Sequence, residues 1–262
     1  NFNTDNSGSN EFILAIPYDQ VFAQGFNLNV MTLHYGSQAT YKLTEQPWNG
    51  FCSLQEFYDS YEDDDLRKGK PNTVDGPSGV RGNFLIGPQF ESDGSTRVVD
   101  SGAEDEDPDG PELNFTAEIN EIGPNALRQA GARIGKFEFA IGATQHLSND
   151  FPIFRYSEIL LHKAEALWRL NNGDTDALAL VNQIRERAGV DGFTELTADN
   201  LLAERGREMF AEAKRRVDLI RFGKYNDAWE FKDVDPSDHV NIFPIPSGQL
   251  DANPQLSQNP GY

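Results

Sequence analysis

The chain holds a single cysteine, Cys52, so it can close no disulfide within itself, and paired-thiolate metal sites are excluded. This leaves the compartment open, because an exported protein can do without disulfides. Long apolar runs are also missing: none approaches the ~20 residues that cross a bilayer. The start shows no basic stretch followed by an apolar one. Residues 1–10 are polar and carry Gly and Ser, like a loop entered in mid-protein, and the chain reads as part of a longer one. Positive charge is scarce, with 22 Lys and Arg against 42 Asp and Glu and a formal net charge of −20. Phosphate binding needs clustered cations that displace counterions, so this balance points away from nucleic acid and from anionic membrane. Gly-x-Ser-x-Gly, the P-loop pattern and His-Glu-x-x-His are absent, so no nucleophile or phosphate cradle announces itself.

What is present is 262 residues, enough for one large domain or two small ones with a proper core. Two textures divide them, at 1–150 and 151–262. In the first, residues 11–16 (Glu-Phe-Ile-Leu-Ala-Ile) form a short apolar run stopped by Pro17, which predicts a strand. Residues 18–50 mix aromatics with Gly, Asn and Gln without a sustained period and read as loop with short helical pieces. Leu54, Phe57, Tyr58 and Tyr61 share one face of a short helix over 53–62. Residues 69–115 are rich in Gly, Pro and Asp, an irregular stretch with room for a hairpin, long enough to be functional or mobile.

From 152 onward helical periodicity takes over. Tyr156, Ile159, Leu160, Ala164, Leu167 and Leu170 recur at intervals of 3 and 4, in a helix opened by Arg155-Tyr156-x-Glu158 and ended by Asn171-Asn172-Gly173. Asp174 or Thr175 caps the next helix, with Ala177, Leu180, Val181, Ile184 and Ala188 on its apolar face, and Gly189 stops it. Thr197 or Asp199 opens a third through Leu201, Leu202, Met209, Phe210 and Ala213, which continues, with room for a break, to Leu219, Ile220 and Phe222 before Gly223. Antiparallel helices on short loops pack as tetratricopeptide-like units do, although no repeat of ~34 residues is present.

Glu204, Glu208 and Glu212 invite a glycosidase reading, which needs two carboxylates as acid and base or nucleophile. They lie at i, i+4 spacing among Arg205, Arg207, Arg215 and Arg216, however, and Glu212–Arg216 is itself such a pair. This is the spacing of ion pairs on a helix surface or between neighbouring helices, and the structural reading is preferred. Arg155, Glu158 and Glu165 are read the same way. His162 with Glu165 could share a metal, but no second His is near, and a structural histidine is the simpler reading. Asp105-x-Asp107-x-Asp109-Gly110 begins like an EF-hand loop, which makes these three aspartates the candidate calcium ligands. The match then fails, with Thr116 where the bidentate Glu belongs and Pro111 after the glycine, so a solvated acidic loop competes with it.

Residues 18–51 offer the chemistry that binds sugars: aromatic planes for the C–H face of a pyranose, with amides for its hydroxyls. Trp48 is the candidate stacking residue, Asn49 its hydroxyl partner, and Tyr35 and Tyr41 weaker platforms. An equally good account packs Trp48 into the core beside Phe51 and Leu54.

Taken together, the Arg155-Tyr156-x-Glu158 helix, Asn182-Gln-Ile-Arg185-Glu-Arg187-Ala188-Gly189, Asp218-Leu-Ile-Arg221-Phe222-Gly223, Phe243-Pro-Ile-Pro246 and Gln258-Asn-Pro-Gly-Tyr262 resemble the C-terminal half of the SusD/RagB family. Upstream, Trp48-Asn-Gly50, Asp65-Leu-Arg67 and Asp109-Gly-Pro-Glu-Leu-Asn-Phe-Thr116 are similar too. The resemblance implies a mainly α fold, with tetratricopeptide-like antiparallel helices, long irregular loops and a few short β-strands. It implies a surface-exposed, lipid-anchored outer-membrane protein that binds oligosaccharides without hydrolysing them. The partner it implies is a TonB-dependent transporter of the SusC type, with a structural lid on that transporter as the alternative role. The family's anchoring cysteine has no counterpart here, since Cys52 is internal, and no cofactor other than calcium is expected. The prolines of the ending predict an extended tail lying across the helices.

Overall fold

The structure is a computed structural model that describes residues 1–69, 82–102 and 109–262. Its regular elements among these residues are mainly helical. The expected first strand is β1 (Phe12–Ile16), ending before Pro17. Two short helices, α1 (Leu28–Thr32) and α2 (Ser37–Tyr41), occupy the aromatic stretch, and α3 (Gln55–Asp59) follows. Two-residue strands then cross-link the irregular region. β2 (Phe84–Leu85) pairs with β5 (Arg133–Ile134), and β3 (Gly87–Pro88) pairs with β4 (Asn114–Phe115), both antiparallel. Leu33, Tyr41, Leu113, Phe115, Phe137 and Leu147 centre the core beneath them.

β6 (Phe151–Arg155) runs antiparallel to β1, with Phe12 opposite Arg155 and Ile16 opposite Phe151. Arg155 therefore ends a strand, where the sequence reading had it open a helix; its backbone is extended and α4 (Tyr156–Leu170) begins one residue later. This sheet joins a strand from near the start of the chain to one that begins at Phe151.

α5 (Thr175–Arg187) packs antiparallel on α4, its first turn closed by Asp174, whose carboxylate accepts from the Ala177 N–H at 2.9 Å. Thr197 and Asn200 form a reciprocal capping box on α6 (Ala198–Glu208). Leu161, Ala164, Val181, Ile184, Leu196 and Leu201 make a second core between these helices. The break in the third helix is real. Ala211 and Ala213 take left-handed backbone (φ 58 and 60), α7 (Arg215–Arg221) restarts beyond them, and Gly223 at φ 68 ends it.

The tail departs from expectation, since it closes on itself. Ile245 is the one residue between Pro244 and Pro246, so it alone there has an N–H, and Gln258 meets both its N–H (2.8 Å) and its carbonyl (2.9 Å). Asn259 donates to the Phe243 carbonyl at 2.7 Å, and the Tyr262 hydroxyl to that of Ile242 at 2.8 Å. α8 (Ser247–Ala252) is the loop of this clasp, which meets α7 where the Arg216 guanidinium lies 4.1 Å from the centre of the Phe243 ring.

Candidate functional site

Two polar constellations compete for the role of site, and burial decides between them. Glu204, Glu208 and Glu212 are 0, 2 and 1% exposed, and each carboxylate is held by cations. Arg155 spans two of them, with Nη1 2.8 Å from Glu208 and Nε 2.7 Å from Glu212, and it reaches Glu11 at 2.8 Å. Lys136 closes on Glu212 at 2.5 Å. Arg67 bridges Glu204 (2.6 Å) and Glu208 (3.0 Å), Arg185 meets Glu204 at 3.1 Å, and Arg187 meets Glu208 at 2.6 Å. Burial alone would raise the Glu208 carboxyl, but Arg155, Arg187, Lys136 and Arg67 together hold it down at about 2. A general acid needs a raised pKa and an open path to substrate, and this carboxylate has neither. The cluster is scaffold, joining α6 to β1, β6 and the loop-rich region.

One part of the spacing argument fails. Glu212 pairs with Arg155 and Lys136, while Arg216 turns to Phe243, because the left-handed residues at 211 and 213 destroy the i, i+4 geometry. Glu158 and Glu165 behave as expected: Lys214 lies 3.1 Å from Glu158, and Arg221 and Arg169 hold Glu165. His162 stands 3.8 Å from Glu158 on a half-exposed face, and among the described residues no group of three metal-ligating side chains forms.

The aromatic stretch is different. α1 is a single turn whose last carbonyls have no partner within the helix. The loop at 48–51 supplies them: Trp48 N–H donates to the Val30 carbonyl (2.7 Å), Asn49 to Leu33 (2.9 Å) and Gly50 to Met31 (2.8 Å). Gly50 is required there, since a Cβ would sit 2.8 Å from the Met31 oxygen. On this fixed base the Trp48 side chain stands 52% exposed, so the core-packing alternative is set aside.

Asn49 has a structural task. It adopts φ 51, a left-handed conformation Asn tolerates, its amide NH2 donates to the Arg128 carbonyl (3.0 Å), and its oxygen accepts from Arg133 (2.7 Å). With both ends of the amide engaged, it serves the turn where the sequence reading had it serve a hydroxyl. Arg133 is itself buried and donates to the carbonyls of Arg128, Ala130 and Gly131, and burial pushes its guanidinium down to about 10. Nothing in the sequence flags this cage. Tyr41 is corrected outright: it is 5% exposed and packs edge-on against Phe139 in the core, so it offers no face to a ligand.

Tyr35 is 38% exposed and lies along a cleft of about 480 Å³. Gln38 of α2, Gln46 of the Trp48 loop, Glu91, Arg97 and Ser101 also line it. Behind Tyr35 is His34, fully buried, whose Nδ1 accepts from the Gly36 N–H at 3.0 Å and whose Nε2 lies 3.3 Å from Asp100. Burial pushes the imidazole down to about 4, against the pull of Asp100 and with the help of Arg133. Asp100 continues to Arg128 at 2.7 Å, and Arg128 to Asp109 at 3.2 Å. This chain fixes the Tyr35 wall to the wall at 98–101. Of the candidate calcium ligands, Asp105 and Asp107 lie outside the described residues. Asp109 is buried and faces the Arg128 guanidinium, which a calcium ion would have to displace.

With this geometry in place, the comparisons with known proteins are specific. The SusD family profile matches residues 130–262. Starch-binding protein SusD of Bacteroides thetaiotaomicron is 34% identical over 122 residues, 43% of this chain and 22% of that protein. SusD-like protein P38 of Formosa agariphila is 36% identical over 124 residues, 42% of this chain and 24% of that protein. Among solved structures, a SusD superfamily protein from Parabacteroides distasonis superposes with a TM-score of 0.66 at 20% identity, covering 99% of this chain and 52% of that one. Surface glycan-binding protein A of B. thetaiotaomicron, solved with laminarihexaose, gives 0.62 at 24% identity, covering 95% and 52%. The chain thus spans about half the length of these structures, and its match about a quarter or less of the curated relatives. The superposition extends the likeness in fold to the described residues before 130, which the family profile does not cover.

Proposed function

This chain belongs to the SusD family, and from that premise we propose that it binds oligosaccharides non-covalently and passes them on intact. The observation that carries the reading is Trp48, a large aromatic ring half open to solvent on a loop whose backbone is pinned to α1, with Gln46 of the same loop lining a cleft. Such a ring offers its face to the C–H side of a pyranose at little entropic cost, because its base is already fixed. One relative named for starch binding and a neighbour solved with laminarihexaose support it. The receiving partner in this proposal is a SusC-type, TonB-dependent transporter, and the working location is the outer-membrane surface, with the protein held by a lipid anchor. Its role is delivery without hydrolysis, consistent with the burial of Glu204, Glu208 and Glu212.

The test is calorimetric titration of the folded protein with soluble oligosaccharides from plant, fungal and starch sources, alongside a reducing-sugar release assay. Saturable binding at micromolar to millimolar affinity with no sugar released is expected. Release of reducing ends would overturn the non-catalytic reading. Silence across the panel, with capture of the transporter intact, would leave a structural lid.

A further inference from the structure

We infer that the cleft beside Tyr35 is a subsite for an uncharged sugar unit, and that it selects neutral oligosaccharides over uronate-bearing or sulfated ones. The inference rests on the glycan-binding reading and adds a place and a chemical class to it. A volume of about 480 Å³ falls within the roughly 300–1,000 Å³ of small-molecule sites. Tyr35, 38% exposed, lines the cleft, and Val99, 57% exposed, adds apolar surface. The walls are fixed to one another. A Cβ on Gly36 would lie 2.7 Å from Val98, and His34 and Asp100 link the same two segments behind them.

The class follows from which polar groups are free. Arg97 is the one cation lining the cleft among the described residues, and its guanidinium is engaged on every nitrogen. Nη1 lies 2.9 Å from Glu112, Nη2 donates to the Leu113 carbonyl (3.1 Å), and Nε donates to that of Gln89 (3.3 Å). An anionic sugar needs a guanidinium fork or an ammonium to replace its hydration, and the Arg97 charge is already met by Glu112, with two more of its five N–H groups spent on the Gln89 and Leu113 carbonyls. Glu91 is exposed, stands on a tight turn closed by its N–H to the Thr96 carbonyl (2.7 Å), and is paired with no cation among the described residues. The Gln38 amide NH2 spends one N–H on the Leu43 carbonyl at 3.2 Å, and its oxygen is an acceptor on a residue that lines the cleft. The cleft is therefore rich in acceptors. Sugar hydroxyls are donors that suit a carboxylate and an amide oxygen, whereas a second carboxylate or a sulfate brought against Glu91 repels. The chain's net charge of −20 adds to that repulsion at long range.

The experiment titrates the protein with neutral starch-type and laminarin-type oligosaccharides, and with uronate-containing and sulfated ones of matched length, at low and high salt. Neutral sugars should bind with little salt dependence and the anionic ones at least about tenfold more weakly. Tyr35→Ala should weaken neutral binding about five- to tenfold. Gln46→Ala, at an exposed position, should weaken it in the same direction and serves where loss of the Tyr35 ring disturbs His34. Preferential binding of anionic sugars that is lost in salt would overturn the class and keep the glycan-binding reading. Neutral binding untouched by both variants would overturn the place. Absence of any sugar binding by the folded protein would bring down the glycan-binding reading and this inference with it.

Discussion

Arg155 is 1% exposed and holds three carboxylates, so replacing it leaves Glu208 and Glu212 buried beside too little positive charge. Arg155→Met should destabilise the protein by about 3–5 kcal/mol, read as a shift in denaturant midpoint at constant slope; a loss below about 1 kcal/mol would mean that Lys136 and Arg67 carry the site alone. At this scale the sequence was legible only in part. The density of Glu and Arg over 204–216 announced ion pairing, and the structure forms it. The partners Arg67 and Lys136 were not legible, because nothing in local spacing says which distant cation a buried carboxylate will meet. Asn49 and Tyr41 misled for a related reason: residue type states what a side chain can do, while backbone conformation and burial decide what it does. Trp48 and Tyr35 kept exposed faces, and Arg133, which secures the Trp48 turn, gave no signal.

Helices were read better than the segments between them, because a period of 3.6 residues and a capping residue are local facts. α4, α5 and α6 lie where their apolar spacing and the caps Asp174 and Thr197 place them. β6 was missed because Phe-Pro-Ile-Phe-Arg is a strand only by virtue of its pairing with β1, some 140 residues away. The kink between α6 and α7 is the element whose cost is exposed to test. Ala213 is solvent-exposed at φ 60, a conformation that disfavours any residue with a Cβ, yet the kink is what turns Glu212 into the buried network. Ala213→Gly removes the strain, about 1–2 kcal/mol, and adds somewhat less in unfolded-state entropy, so a net gain of about 0.5–1 kcal/mol is expected from chemical denaturation. A loss of stability would show that the methyl group packs in a way its exposure hides.

For the molecule as a whole, pH is the lever that reaches both halves of the scaffold. Glu208 and His34 each titrate below their ordinary values, so the folded state binds fewer protons than the unfolded one and stability rises with pH. The contribution of His34, fully present above about 6.5, is lost as pH falls to about 4. That of Glu208, fully present above about 4.5, is lost as pH falls to about 2. Denaturant midpoints should therefore decline in two stages on acidification, and His34→Gln should flatten the upper one. A wild-type midpoint that stays level as pH falls from neutrality to about 4 would contradict the buried, neutral His34. The proposed function rests on one exposed ring on a loop hydrogen-bonded to α1, and the most direct measurement sets calorimetric oligosaccharide binding of the wild type beside that of Trp48→Ala, with melting temperatures for both. Lost binding with a nearly unchanged melting temperature is the predicted result. Undiminished binding, or a large fall in melting temperature, would contradict the assignment of Trp48 as the sugar platform.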